Sequence, residues 1–114
     1  MVPIPSDDFD ALVGDALDAL PDSILGLLDN VVILTEDEHG EEDLLGLYEG
    51  VPRTERGDYG GLELPDRITL FRLTLCDHCD DLDHLREEVM VTVVHELAHH
   101  LGIDDDRLAE LGWD

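Results

Sequence analysis

The stretch from His95 to Asp105 carries residues that bind metal ions, at a spacing that suits one shared ion. His95 and His99 are four residues apart, so on a helix they lie one turn apart on the same face, where two imidazoles can bind one metal ion. Gly102 can end such a helix in the left-handed conformation, and Asp105 follows three residues later, where it can return as a third ligand. Two histidines, a carboxylate and a water form an open tetrahedral site, so one Zn²⁺ per chain is the expected cofactor.

Glu96 directly follows the first predicted ligand and is placed to take a proton from a metal-activated water. The alternative interpretation is a capped helix that carries these residues by chance. Burying two histidines and a glutamate without partners would cost several kcal/mol, however, and a shared metal ion removes that cost. Asp104 and Asp106 compete with Asp105 for the third position, and the spacing favours Asp105.

Other polar residues are candidates for supporting roles. His100 points about 100° away from His99 on a helix, which favours packing or support of a ligand over direct ligation. Cys76 and Cys79 are either half of a structural zinc site, with His84 and Asp80 nearby, or two thiols in a loop. Tyr48 and Tyr59 are candidates to stabilise an oxyanion, with packing as the alternative role. Thr92 and Glu88 lie one and two turns before the histidines on the same helix face and are candidates to line the site, with a solvated or hydrogen-bonded role as the alternative.

The long helix that must position these residues is the best defined element of the sequence. Asp80 or Asp81 can cap it, it runs from about Leu82 to Leu101, and Gly102 follows as its terminating residue. It is apolar on nearly every side between Val89 and Ala98, which predicts a central position in the fold.

The remaining elements follow from apolar periodicity and from the positions of proline and glycine. Ser6 is the expected N-cap of the first helix, which Pro21 ends. The expected elements are a helix over 6–20, one or two helical turns over 24–28, a buried strand over 31–34, an acidic loop over 36–43, a weaker strand over 45–51, an exposed excursion over 52–65 and a third strand over 68–75.

Length and charge exclude several classes of protein. A chain of 114 residues predicts a single domain over 1–114. Its formal net charge is −24, and all six basic residues are arginine, a balance that opposes binding to nucleic acid or to an anionic membrane. No apolar run reaches the length of a membrane helix and no signal peptide is visible, which predicts a cytoplasmic protein. The two cysteines cannot form a disulfide scaffold. The oligomeric state is left open.

The extended motif from His95 through His99 and Gly102 to Asp105 resembles that of zincin metallopeptidases on the metzincin side, with aspartate in place of the usual third histidine. The chain is similar to the small bacterial zincin-like family, described as a minimal matrix-metalloprotease-like fold. The similarity covers about residues 30–112 and includes the segments 45–52 and 66–72. It implies an α+β fold, in which a small mixed sheet packs against the long central motif helix together with an N-terminal helix. Unlike the larger metzincins, the chain has no methionine after Asp105.

The sequence therefore predicts a zinc-dependent metallopeptidase that hydrolyses peptide bonds, with Glu96 as the general base and His95, His99 and Asp105 as metal ligands. The acidic surface favours a basic peptide or protein substrate, lying along an edge strand near the site. The alternative is a regulatory or interaction module that keeps the metal site with weak or no catalysis. Hydrolysis of RNA by a metal site is a third hypothesis, and the charge of −24 argues against it.

Overall fold

The computed structural model of the protein describes residues 1–50, 65–103 and 105–110, without the side chains of residues 105 and 108. Helices and strands are mixed along the chain rather than alternating regularly. The elements are α1 (Ser6–Asp18), α2 (Asp22–Leu25), a 3₁₀ turn (Gly26–Leu28), β1 (Val31–Glu36), β2 (Gly46–Glu49), β3 (Asp66–Phe71), α3 (Arg72–His78), α4 (Leu82–Leu101) and α5 (Asp105–Glu110).

The described strands form one mixed sheet in the order β1-β3-β2. β1 pairs with β3 in parallel, with Val31 opposite Asp66, and β2 pairs with β3 antiparallel, with Gly46 opposite Leu70. The expectation of an α+β fold with a small mixed sheet is therefore confirmed. Because β3 is the middle strand, β1 and β2 are the two edges of the sheet as described.

The core lies between the sheet and helices α1 and α4. α4 packs against α1, α3, β2 and β3, so it has neighbours on several sides, as its apolar composition requires. Fully buried side chains come from each of these layers: Phe9 and Ala16 of α1, Ile68 and Leu70 of β3, and Leu85, Val89 and Val93 of α4. Among the described helices, none has both the length and the apolar character needed to cross a bilayer.

Local signals predicted α4 correctly, including both of its ends. The Asp81 side chain accepts a hydrogen bond from the His84 backbone N–H at 2.8 Å, so Asp81 rather than Asp80 is the N-cap. Gly102 has φ 76° and ψ 20°, the left-handed conformation, and the Ile103 N–H donates to the Ala98 carbonyl at 2.8 Å across the reversal.

The prediction of a strand over 68–75 is wrong in its second half, because β3 ends at Phe71 and α3 begins at Arg72. The Arg72 guanidinium donates to the Asp37 carboxylate and, at 2.7 Å, to the Ile4 carbonyl, both of which are distant in sequence. Helical geometry also lets Leu75 and Cys76, which are adjacent in sequence, both be fully buried. Tertiary contacts thus outweigh the β propensity of this segment.

The prediction that 31–34 is a buried strand is also wrong, because β1 is an edge strand with one face open. Val32 and Leu34 are each 38% exposed, and Val31 and Ile33 are half-buried. The strand extends to Glu36, so the acidic loop begins one residue later than expected. Within that loop, His39 and Glu42 form an isolated bridge.

The first helix also differs from its prediction, since it runs over Ser6–Asp18 and Ser6 is not its N-cap. Pro5 occupies that position, without a side-chain cap, and its carbonyl accepts from the Phe9 N–H at 2.9 Å. The helical turns expected over 24–28 are present as α2 and the 3₁₀ turn, and the weaker strand is β2. The predicted excursion over 52–65 lies outside the described residues except for Pro65.

Candidate metal centre

Helix α4 brings His95, Glu96 and His99 to one surface near its C-terminal end. The ring centroids of His95 and His99 are 6.2 Å apart, with their planes inclined by 40°. His95 and Glu96 are half-buried, whereas His99 is exposed, so the prediction that all three lie in the buried half of the helix is wrong for His99. The two imidazoles are nevertheless neighbours along one helix face, as their spacing predicted.

These side chains line a cleft of about 260 Å³ between α4 and the chain that leads into β2. One wall is the segment 43–46, and the other is the α4 face that carries Glu88, Thr92, His95, Glu96 and His99. Glu88 and Thr92 therefore lie along the same cleft, as their helical spacing predicted. The cleft also reaches Gly46, the first residue of β2, at an edge of the described sheet.

The close approach of β2 to α4 depends on the absence of a side chain at residue 46. A Cβ atom added to Gly46 would lie 2.7 Å from Thr92 Cγ2, 3.3 Å from the Thr69 carbonyl oxygen and 3.6 Å from Glu96 Cγ. Thr92 is only 6% exposed, so its methyl group has little room to move. Gly46 thus brings the strand within van der Waals distance of the helix beside Glu96.

The environment of Glu96 favours the protonated carboxyl group. Burial raises the pKa of Glu96 above its ordinary value, and it outweighs the opposing effects of His99, of a hydrogen bond from the Tyr48 backbone N–H and of His95. A carboxyl group whose pKa is raised holds a proton more readily, which suits a group that accepts and returns one. Glu96 thus combines burial with a position in the cleft, and its role as general base stays a prediction.

The two histidines fit a zinc ion in chemistry and in approximate spacing. Two imidazoles bound to one tetrahedral zinc ion through bonds of ~2.1 Å have ring centroids roughly 5 Å apart. The observed centroid distance of 6.2 Å is slightly longer than that spacing. Within the described part of the chain, however, no three His, Cys, Asp or Glu side chains form a group that could hold a metal ion.

The side chain of Asp105, the proposed third ligand, is not among the described residues. Helix α4 ends at the left-handed Gly102, as the sequence predicted, and Asp105 is the first residue of α5. Because its side chain is outside the described residues, the return of Asp105 towards the histidines stays a prediction. Asp104 is outside them as well. The choice among Asp104, Asp105 and Asp106 therefore stays a prediction.

Tyr48 and His100 lie beside the cleft and contact each other. Their rings are stacked, with centroids 4.0 Å apart and planes 13° apart, and the Tyr48 hydroxyl donates to Asp66 Oδ2 at 2.7 Å. His100 thus packs on Tyr48, in keeping with the prediction that it supports the site. The other oxyanion candidate, Tyr59, lies outside the described residues.

Asp66 was not predicted as a functional residue. It stands 18 residues beyond Tyr48, and only the pairing of β2 with β3 brings the two together. Gly46 and Gly50 lie within the segment 45–52 of the family similarity, and their role in close packing depends on the same pairing. The repeated glycines around Tyr48 were the one available sequence signal.

Cys76 and Cys79 are core residues. They are 0% and 1% exposed and form no disulfide, and Cys76 lies within α3 rather than in a loop as predicted. Burial, together with the charge of Glu88, raises the Cys79 pKa to about 11, which disfavours the thiolate that metal binding needs. The nearby His84 accepts a hydrogen bond from the Asp80 backbone N–H through Nδ1.

Comparisons with known proteins agree with this fold. A solved structure of a conserved hypothetical protein from Thermo thermophilus superposes with a TM-score of 0.53 over 96% of this chain and 100% of that chain, at 24% identity, which shows likeness of fold. No curated protein matches the chain. The zincin-like metallopeptidase family matches residues 28–113, a span that includes the sheet, α4 and the histidine pair. The chain therefore belongs to the zincin-like metallopeptidase family.

Proposed function

We propose that the cleft between α4 and β2 is the active site of a zinc-dependent peptidase. The observation that carries this proposal is the placement of Glu96. Its half-buried carboxyl group has a raised pKa, and it lines the same cleft as two imidazoles one helical turn apart. His95, His99 and Asp105 would hold the metal ion, one per chain. A zinc ion held there would supply Lewis-acid activation of water and of the scissile carbonyl group.

The protein groups would handle the protons. Glu96 would accept a proton from the attacking water and return it to the departing amine, which requires a carboxyl group that changes protonation state readily. Its half-buried position raises its proton affinity. The Tyr48 backbone N–H, which donates to the Glu96 carboxylate, orients that carboxylate. Because Glu96 is not a ligand in this scheme, its loss should stop hydrolysis without releasing zinc.

The surroundings of the cleft favour an extended and basic substrate. β2 is an edge of the described sheet and its first residue, Gly46, lines the cleft, so an extended peptide in the cleft can lie beside this edge. Glu88 and Asp43 line the same cleft, and the chain carries a net charge of −24. Lysine or arginine side chains near the scissile bond would complement these acids.

A regulatory or interaction module that retains the metal site is the second candidate. The cleft of about 260 Å³ is smaller than the roughly 300–1,000 Å³ of typical small-molecule sites. A site of this size can bind a short peptide segment. It does not enclose that segment as an efficient catalytic site would. Peptide cleavage and peptide binding, measured on the same purified protein, distinguish the two candidate functions.

The decisive experiment is cleavage of a diverse peptide library by the zinc-loaded protein, compared with Glu96→Gln. The variant should keep the zinc of the parent and lose about 10²- to 10⁴-fold in kcat. Glu87→Gln is the matched control, since Glu87 is exposed on the same helix and its replacement changes the charge identically. Equal cleavage by the parent and Glu96→Gln would disprove the mechanism, and a parent that binds peptides without cleaving them would favour the binding module.

A further inference from the structure

Three side chains from three elements meet beside the candidate active site. Tyr48 of β2 donates its hydroxyl proton to Asp66 Oδ2 at 2.7 Å, and Asp66 is the first residue of β3. His100, in the last turn of α4, stacks on the Tyr48 ring at 4.0 Å and has Nε2 3.7 Å from the same Asp66 oxygen. Asp66 is only 8% exposed. This cluster, termed here the Tyr48 cluster, joins two strands to the end of the motif helix.

The absence of a side chain at Gly50 lets His100 and Asp66 lie close to the backbone beside β2. A Cβ atom added at residue 50 would lie 3.3 Å from His100 Cε1 and 3.7 Å from Asp66 Oδ1. The strand is therefore held against the helix at two points: Gly46 packs on Thr92, and Gly50 packs on His100.

Between these two contacts, the strand segment and the helix segment have nearly the same length. Four residues of strand rise about 13 Å, and eight residues of helix rise about 12 Å. The midpoint of the strand segment is Tyr48, and the midpoint of the helix segment is Glu96. A strand fixed at both ends therefore places residue 48 beside the carboxyl group of residue 96.

The register of β2 on β3 determines the direction in which the Tyr48 backbone N–H points. The Phe71 N–H donates to the Leu45 carbonyl at 3.1 Å, so these residues form a hydrogen-bonded pair. In an antiparallel ladder, such pairs alternate with pairs whose N–H groups point away from the partner strand. Leu47 lies opposite Thr69 in a hydrogen-bonded pair. Tyr48 lies opposite Ile68 in a pair whose N–H groups point away from the partner strand. The Tyr48 N–H therefore leaves the sheet edge, and it donates to Glu96.

We propose that Tyr48 is a positioning residue: its side chain, anchored on Asp66 and His100, fixes β2 so that its own backbone N–H holds the Glu96 carboxylate in place. The catalytic importance of this arrangement rests on the proposed function. The hydrogen bond itself does not, so it can be tested in the metal-free protein.

Amide hydrogen exchange of the metal-free protein tests the arrangement, with adjacent amides as probe and control. The Tyr48 amide should be protected in the parent and should exchange at least tenfold faster in Glu96→Ala, while the Leu47 amide, which faces β3, should be unaffected. Tyr48→Phe keeps the stacked ring but removes the hydroxyl group, and it should selectively expose the Tyr48 amide. Asp66→Asn keeps an oxygen that can accept the tyrosine proton, so it should retain protection that Asp66→Ala loses.

Two outcomes would overturn the proposal. Unchanged exchange of the Tyr48 amide in Glu96→Ala would mean that the hydrogen bond is absent. Equal acceleration of the Leu47 and Tyr48 amides in Tyr48→Phe would mean that the side chain only stabilises the strand. Where peptidase activity is present, Tyr48→Phe should lower kcat severalfold with zinc occupancy unchanged, and it should have no further effect in a Glu96→Gln background. A parent without activity would refute the proposed function and leave the exchange result to decide this proposal.

Discussion

A Cβ atom on Gly46 would lie 2.7 Å from Cγ2 of Thr92, so the contact between β2 and α4 exists only because residue 46 lacks a side chain. Thr92 is β-branched and almost fully buried, which leaves its methyl group no easy alternative rotamer. The spacing of the strand and helix beside Glu96, and with it the width of the candidate active site, depends on this contact together with the one at Gly50.

Gly46→Ala should therefore destabilise the protein by about 1–3 kcal/mol, the usual cost of overpacking a filled site. It should also lower any peptidase activity, since β2 must move away from Glu96. Urea unfolding measures the first effect and peptide cleavage the second.

Two further variants show whether the Thr92 contact is the cause. Adding Thr92→Ser to Gly46→Ala removes the clashing methyl group and should recover most of the lost stability. Gly14→Ala is the matched glycine control, because Gly14 lies within α1 with nothing near its added Cβ atom, and it should stabilise by about 0.5–1 kcal/mol. A Gly46→Ala protein as stable as the parent would contradict the account of this contact.

The second prediction concerns the metal ion. Loss of a residue that only supports a metal ligand lowers metal affinity roughly 10- to 100-fold. His95→Ala and His99→Ala each remove a proposed ligand itself, so each should weaken zinc binding by more than that. Imidazole binds zinc only in its neutral form, so protons compete with the metal ion and zinc affinity should fall as the pH is lowered. Elemental analysis and zinc titration measure these effects.

Two controls separate this site from other metal-binding residues. His78→Ala removes an exposed histidine at the end of α3 and should leave zinc binding unchanged. Cys76→Ser/Cys79→Ser should keep both the zinc and the pH profile of the parent. Full zinc occupancy in His95→Ala/His99→Ala would place the site elsewhere and make the two cysteines the next candidates.

Helix α4, whose two ends are set by local signals, is the element whose bounds the sequence predicted correctly. α4 has an Asp81 cap, an apolar body and a left-handed Gly102, and each signal lies within a few residues of what it determines. The segment after Phe71 was mispredicted because Arg72 is fixed by Asp37 and Ile4, which lie 35 and 68 residues away.

The same distinction applies within the site. The pairing of His95 with His99 follows from helical spacing alone. The bond from Tyr48 to Asp66 could not be predicted, because it depends on the register of β2 on β3. Exposure of Val32 and Leu34 was missed for a related reason: strand composition does not reveal whether a strand is central or at an edge.

The third prediction concerns the stability of the metal-free protein. Because burial raises the pKa of Glu96 in the folded state, folding costs free energy wherever this carboxyl group is ionised in the unfolded chain. Its contribution is most favourable in acid and is lost as pH rises. Glu96→Gln removes the charge, so it should stabilise the metal-free protein at pH 7, and the difference from the parent should shrink towards pH 4.

Chemical denaturation at the two pH values tests this effect. Glu87→Gln again provides the control, since its carboxyl group is exposed and its replacement should leave the free energy of unfolding within about 0.5 kcal/mol of the parent. A Glu96→Gln protein less stable than the parent at pH 7 would mean that the hydrogen bond to Tyr48 outweighs desolvation.

The last prediction concerns alkaline pH and Cys79. Its thiol is 1% exposed, and burial, followed by the negative charges of Glu88 and Cys76, raises its pKa from 9.0 to about 11. The Met1 ammonium group, which donates to the Cys79 carbonyl at 2.8 Å, acts in the opposite direction. Between these two pKa values the unfolded chain has lost a proton that the folded protein keeps. The free energy of unfolding therefore falls as pH rises above 9, by up to about 1.4 kcal/mol per pH unit.

Cys79→Ala isolates this contribution. At pH 8 the variant should be less stable than the parent, because a buried sulfur atom is lost from the core. Since the variant has no thiol to ionise, the stability difference should shrink by about 2 kcal/mol between pH 8 and pH 11. Urea unfolding of both proteins across this range measures the change, and the tyrosines titrate in both proteins, so their contribution cancels in the comparison. A difference that stays constant up to pH 11 would show that the Cys79 thiol ionises equally readily in the folded and unfolded chains, in contradiction to its burial in the core.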